Sequence, residues 1–157
     1  MQTLSLYKHP MQEKDIQHLA NALRNSMVIL VIFSVIEPIF IQALTTLDLY
    51  NNGLGDNGAK YLADALEYNT TLVQLHVRWN QIGDVGAQYL ANTLRENKTL
   101  TTLNLRLNKI TTTGAEHFRD TLQNSKALTT IYLDRNDPIQ SESNQSMEDC
   151  QIKWINL

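Results

Sequence analysis

Cysteine is almost missing from this chain. Cys150 stands alone among 157 residues, so no internal disulfide can form and the fold must hold by packing. An excess of positive charge is missing too: the formal net charge is −3 and the pI about 5.7. Nucleic acid and anionic membrane surfaces demand a concentrated basic field, and neither is favoured as a partner. The opening MQTLSLYKHPMQEK lacks the charged-then-apolar pattern of a secretory signal, so a reducing, cytoplasmic compartment is expected. Without export, the Asn-x-Ser/Thr patterns at Asn69, Asn97 and Asn144 are expected to stay unmodified. With 43% hydrophobic and 18% charged residues, the length suits one domain or a piece of one, able to bury a core.

Catalytic signatures are also lacking. The sequence holds no Gly-x-Ser-x-Gly, phosphate-binding loop or paired-carboxylate motif. His9, His18, His76 and His117 stand in unlike surroundings, with no companion at metal-ligand spacing. Cys150 has no identifiable base beside it. The expectation is a protein without enzymatic activity, cofactor or metal.

What is present is a repeat. A 28-residue unit begins at Leu44, Leu72 and Leu100, and a fourth copy starts at Leu128 and breaks off. Such a period predicts a stacked solenoid, because each unit buries its apolar face only against its neighbours. Leu44/Leu72/Leu100/Leu128, Leu47/Leu75/Leu103/Ile131, Leu49/Val77/Leu105/Leu133 and Asn52/Asn80/Asn108/Asn136 form the frame. Alternation in Leu47-Asp48-Leu49-Tyr50 predicts a short strand with its leucines inward. The asparagine amides are expected to satisfy backbone groups where the chain leaves the strand. Leu54, Ile82 and Ile110 return inward, and Gly58-Ala59, Gly86-Ala87 and Gly114-Ala115 open helices on small residues. Leu62/Leu66, Leu90/Leu94 and Phe118/Leu122 lie four apart on an inward helical face. Asp56, Asp84 and Thr112 are expected to cap these helices.

One decoy is disposed of by the same stacking. Gly53-Leu-Gly55-Asp-Asn-Gly58 matches the dinucleotide fingerprint between a strand and a helix. Its counterparts Gln81-Ile-Gly83-Asp-Val-Gly86 and Lys109-Ile-Thr111-Thr-Thr-Gly114 lose the glycines while the frame persists.

The pattern Leu-x-x-Leu-x-Leu-x-x-Asn-x-Leu, followed by Gly-Ala and a Leu-x-x-x-Leu helix in 28 residues, resembles the ribonuclease-inhibitor-type leucine-rich repeat. That class is found in ribonuclease inhibitor, the Ran GTPase-activating protein and the C-terminal repeats of NOD-like receptors. The resemblance implies an α/β leucine-rich-repeat horseshoe, parallel strands on the concave face and helices on the convex one, with the concave sheet holding another protein. It leaves an alternative open: a regulatory or sensor fragment of a larger receptor or GTPase-activating protein.

Before Leu44 the pattern returns at an offset of 43, where Leu4-Ser-Leu6-Tyr7 matches Leu47-Asp-Leu49-Tyr50 and His9 replaces the asparagine. Residues 1–26 are therefore a partial repeat and 27–43 an apolar insertion. The insertion has three readings: a membrane helix, for which the run ending at Glu37-Pro38 is too short; a half repeat adding one strand; or a non-coding stretch read through in frame. Three full repeats and a terminal strand occupy 44–137, and 138–157 form a tail or a cap, with Met147, Cys150 and Trp154 at helical spacing. Both ends suggest a fragment of, or a truncated relative to, a longer solenoid.

Outward strand positions supply the candidate recognition residues. They are Tyr50, Arg78, Arg106 and Asp134 in one column, His76, Asn104 and Tyr132 in the next, and Trp79 and Arg135 beside them. Tyr, Trp and Arg carry much of the energy of protein interfaces, which makes this face a protein-binding candidate. Arg78 and Arg106 fall on adjacent strands, about 5 Å apart, so a partner with an acidic patch would relieve their repulsion.

Overall fold

The computed structural model describes residues 3–8, 11–24, 27–29, 40–42 and 44–136. Four coils and a closing strand make up the solenoid. Strand β1 (Thr3–Ser5) leads to helix α1 (Glu13–Arg24), β4 (Thr46–Asp48) to α2 (Gly55–Leu66), β5 (Gln74–His76) to α3 (Asp84–Leu94), and β6 (Thr102–Asn104) to α4 (Thr112–Asn124); β7 (Thr130–Tyr132) follows. Between α1 and β4 lie two further strands, β2 (Met27–Ile29) and β3 (Phe40–Gln42). The sheet runs β1-β4-β5-β6-β7, all parallel. Its register joins Leu4, Leu47, Leu75, Leu103 and Ile131 in one row, which is the offset of 43 once and of 28 thereafter.

Those rows are the core. Leu47, Leu49, Leu62, Leu72, Leu75, Ile82, Leu90, Leu100, Leu103 and Leu105 are fully buried in one continuous cluster with Leu54, Leu66, Leu94 and Phe118. Each buried leucine stabilises the fold by roughly 1.5–3 kcal/mol, so stacking of strand and helix rows outweighs every other term. The interior contacts are between coils, α1 on α2, α2 on α3 and α3 on α4.

Polar groups extend the same coil-to-coil logic. Asn80 has no exposed surface. Its Oδ1 accepts from the backbone N–H of Asn52 (2.9 Å) and Leu54 (3.3 Å), and its Nδ2 donates to the carbonyls of Leu49 (2.8 Å) and Arg78 (3.0 Å). Asn108 repeats this one coil on, accepting from Asn80 and Ile82, and Asn136 accepts from Asn108 and Ile110. Each amide thus closes the turn of the preceding coil. At the first rung, where histidine stands in the sequence, Asn52 Oδ1 finds no partner among the described residues.

A second asparagine ladder links the helix ends. Asn69 and Asn97 are buried; their Oδ1 atoms accept from Thr71 and Leu72, and from Thr99 and Leu100, while their Nδ2 atoms donate to Leu23 and Leu66 carbonyls, each at 2.7 Å. Ser125 takes the third rung through Oγ to Leu94. The Asn-x-Thr patterns at Asn69 and Asn97 are therefore structural, and their amide nitrogens are already engaged. Asn144 lies outside the described residues.

The caps differ from expectation in an informative way. Asp56 and Asp84 sit in the first turn of α2 and α3 but serve the helix of the following coil. Asp56 Oδ1 accepts from Gly83 (2.7 Å) and Gly86 (2.9 Å) at the start of α3. Asp84 accepts from the backbone and hydroxyl of Thr111 and from Gly114 at the start of α4. Thr112, expected as a cap, is exposed; Thr111 caps α4 by accepting from Thr113. The glycine at this site is required by the cap: a Cβ on Gly86 would lie 2.6 Å from Asp56 Oδ1 and 2.7 Å from Ile82 Cγ2.

The insertion does not interrupt the sheet. β1 pairs directly with β4, leaving no slot between them for an added strand, and the ends of the insertion, β2 and β3, pair antiparallel with each other in a separate two-stranded sheet. The strand that the half-repeat reading places near residues 32–34 lies outside the described residues, as do the tail and the cap proposed for 138–157. Among the described residues no helix is long and apolar enough to cross a membrane.

Two outcomes test this scheme. Asn80→Ala removes both carbonyl contacts and orphans the Asn52 and Leu54 amides, and should lower unfolding free energy by about 1–3 kcal/mol; an unchanged urea midpoint contradicts it. Asp84→Ala should cost about 0.5–2 kcal/mol and increase hydrogen exchange at the start of α4 rather than of α3. Loosening of α3 alone would show that the aspartate caps its own helix.

Candidate recognition surface

Strand alternation decides which side chains remain for function. In β4 and β5 the central leucine is buried while its neighbours are half-buried, so the second face of the sheet presents Asp48, His76 and Tyr132 in one column. Asn104 occupies the same column in β6, but at 7% exposure it offers a partner almost no surface; its Oδ1 accepts from the Arg106 backbone.

Two positions beyond the strands the column reads Tyr7, Tyr50, Arg78, Arg106, Asp134, and its members associate in two groups, Tyr7 with Tyr50 and Arg78, and Arg106 with Asp134. Tyr7 and Tyr50 stack at 4.8 Å between ring centroids with planes 14° apart, the spacing of neighbouring strands. The Arg78 guanidinium lies 5.0 Å from the centre of the Tyr50 ring. Arg106 covers Tyr132 at 4.9 Å and forms an ion pair with Asp134. Thus the expected repulsion between Arg78 and Arg106 is already relieved inside the chain: one cation turns to Tyr50 and the other to Asp134 and Tyr132. Of these two arginines, Arg78 forms no ion pair with a carboxylate among the described residues.

The next residue of each coil adopts a left-handed turn: Lys8 (φ 52°), Asn51 (φ 55°), Trp79 (φ 56°), Leu107 (φ 56°) and Arg135 (φ 58°). The turn is imposed by stacking, since Lys8, Asn51 and Trp79 donate their N–H to Tyr50, Arg78 and Arg106 carbonyls of the following coil. Trp79 is 50% exposed and its ring lies 6.5 Å from Tyr50. Arg135 is exposed. Tyr7, 58% exposed, and Lys8, whose ammonium lies 5.2 Å from the Tyr7 ring, join this surface although the sequence reading passed over them. The signal was there: the offset of 43 places Tyr7 on Tyr50.

With strands, helices and amide ladder in view, comparison with known proteins supports the class that the architecture already shows. A family profile described as "Leucine Rich repeat" matches residues 42–63, 68–91 and 96–118. The chain is a leucine-rich-repeat solenoid. No curated protein matches it in sequence. Among solved structures, the solenoid is similar to "Leiomodin-1 Actin-Binding Site 2 (ABS2)", with a TM-score of 0.68 and 17% identity over 83% of this chain and 69% of that one. It is also similar to the tropomodulin C-terminal domain of Caenorhabditis elegans, with a TM-score of 0.67 and 12% identity over 90% of this chain and 76% of that one. At these identities the likeness is one of fold. It supports the leucine-rich-repeat class without singling out the ribonuclease-inhibitor type.

On the helical side of the solenoid, a shallow groove of about 250 Å³ runs between α1 and α2, lined by Gln17, Arg24, Tyr61 and Asp64. It falls below the roughly 300–1,000 Å³ of small-molecule sites. Tyr61 bridges it, accepting from Gln17 and donating to Glu13.

Among the described residues, His76 is the one titratable group on the open face with a clear shift. Partial burial among its neighbours lowers its pKa below the ordinary 6.5; Asp48 opposes the shift and Arg78 adds to it. The unfolded chain then takes up this proton more readily than the folded one. Stability from a neutral His76 is full above about pH 6.5 and is lost as pH falls through the lower folded value. The melting temperature of the wild type should therefore drop more steeply between pH 7 and pH 5 than that of His76→Gln. Parallel curves would contradict this origin.

Proposed function

We propose that the solenoid is a non-catalytic protein-binding module whose partner lies against the concave, strand-bearing face. The observation that supports this reading most is the open sheet face itself. Helices occupy one side of the solenoid, and the other carries Tyr50, His76, Arg78, Tyr132 and the exposed Trp79 and Arg135, none of which belongs to the core. Large aromatic and guanidinium groups at such positions bring contact area and hydrogen-bonding tips at limited entropic cost. Arg106 and Asp134 form a pre-set ion pair whose geometry a partner can read. The leiomodin-1 structure that shares this fold is an actin-binding site, so actin is the first purified protein to test as a partner.

The test immobilises the chain and offers it cell extract and purified actin in parallel, beside a variant carrying Tyr50→Ser, Arg78→Ala, Arg106→Ala and Tyr132→Ser. The wild type should retain specific proteins that the variant loses at least about tenfold. Equal recovery by both would remove this face from the account. Failure of either to retain anything above a blank surface would remove the binding reading itself.

A further inference from the structure

Trp79 poses a question that stability does not answer. Its turn demands a left-handed backbone, which for a side chain with a Cβ costs roughly 1–3 kcal/mol unless the residue is Gly, Asn or Asp. The equivalent residue one coil earlier is Asn51, a type that tolerates this conformation, while Lys8, Leu107 and Arg135 adopt it in the other coils. Half of the Trp79 surface nonetheless stays in solvent, where a partner can cover it. Tyr7, more exposed still, adds no buried area to the core. The two flank Tyr50, so three aromatic rings are lined up along the first coils at the strand ends.

Charge says what such a row would accept. Lys8 and Arg78 lie over Tyr7 and Tyr50 and have no carboxylate partner among the described residues, so both charges remain free to meet an incoming carboxylate. This is a cationic edge on a chain whose net charge is −3. The surface is complementary to carboxylates. Interleaved rings and cations also suit single-stranded nucleic acid, but successive bases need a succession of free ring faces to stack on. Tyr50 has none: Tyr7 covers the side toward β1 and Arg78 the side toward β5.

We propose that the ledge formed by Tyr7, Lys8, Tyr50, Arg78 and Trp79 docks an acidic peptide segment in which an aromatic or aliphatic side chain neighbours the carboxylates. The carboxylates pair with Lys8 and Arg78, and the apolar side chain covers the open face of Trp79. This inference rests on the protein-binding reading above and narrows it to one end of the sheet.

A phage-displayed random dodecapeptide library selected on the full chain tests it, with affinities of the enriched peptides then measured by fluorescence anisotropy. Enriched peptides should carry Asp or Glu beside Leu, Phe or Trp. Their affinity should fall at least about tenfold in Arg78→Ala and in Trp79→Asn. Because Asn51 already occupies the equivalent turn, Trp79→Asn should melt no lower than the wild type, which separates lost binding from lost folding. Absence of enrichment, enrichment of basic or neutral peptides, or tighter binding of a short oligothymidylate than of any selected peptide would overturn the proposal. Peptides that lose affinity in Arg106→Ala and Tyr132→Ser but not in Trp79→Asn would also overturn the ledge while leaving the strand-bearing face as the binding surface.

Discussion

No coil of this protein can satisfy itself. The turns after β4, β5 and β6 leave backbone N–H groups that the asparagine of the following coil accepts, and the starts of α3 and α4 are capped by an aspartate one coil earlier. The constraint is therefore one of register: hydrogen bonds and leucine rows must advance by a full coil at every step. Hydrophobic burial supplies most of the stabilisation, yet it tolerates small slips that the amide ladder does not. Together they fix one strand against the next closely enough that exposed side chains also fall into columns.

The exposed face is a by-product of that register. Strand spacing brings Tyr7 onto Tyr50 and Arg78 beside it, so rings and cations that are scattered in sequence become a continuous surface. The same turn geometry that closes each coil holds Trp79 in its left-handed conformation at the rim. The recognition chemistry proposed for this face needs no loop of its own. It would be carried by residues that the stacking leaves over, on positions the core does not use.

Much of this was legible in the chain. The 28-residue period identified strand, turn and helix positions, the leucine rows and the frame asparagines, because equivalent residues do equivalent work. What the period does not say is which coil a side chain serves. Asp56 and Asp84 were readable as helix caps but not as caps for the neighbouring helix, and Asn69 and Asn97 looked like modification signals because their ladder runs between helix ends rather than along strands. Contacts within the open face were hidden for the same reason. The Arg106–Asp134 pair joins residues 28 apart, and it converts an expected like-charge repulsion into an internal ion pair. Tyr7 and Lys8 were missed because the insertion shifts the first coil out of phase with the others.

Amide hydrogen exchange followed by NMR reaches the central claim most directly. The backbone amides of Asn52, Asn80 and Asn108 lie in turns, where exchange is ordinarily fast, yet each donates to the asparagine of the next coil. The account predicts protection approaching that of the core strands for all three. Exchange at the rate of free turn amides would show that the coils are not locked in register, and the columns on the open face would lose their basis.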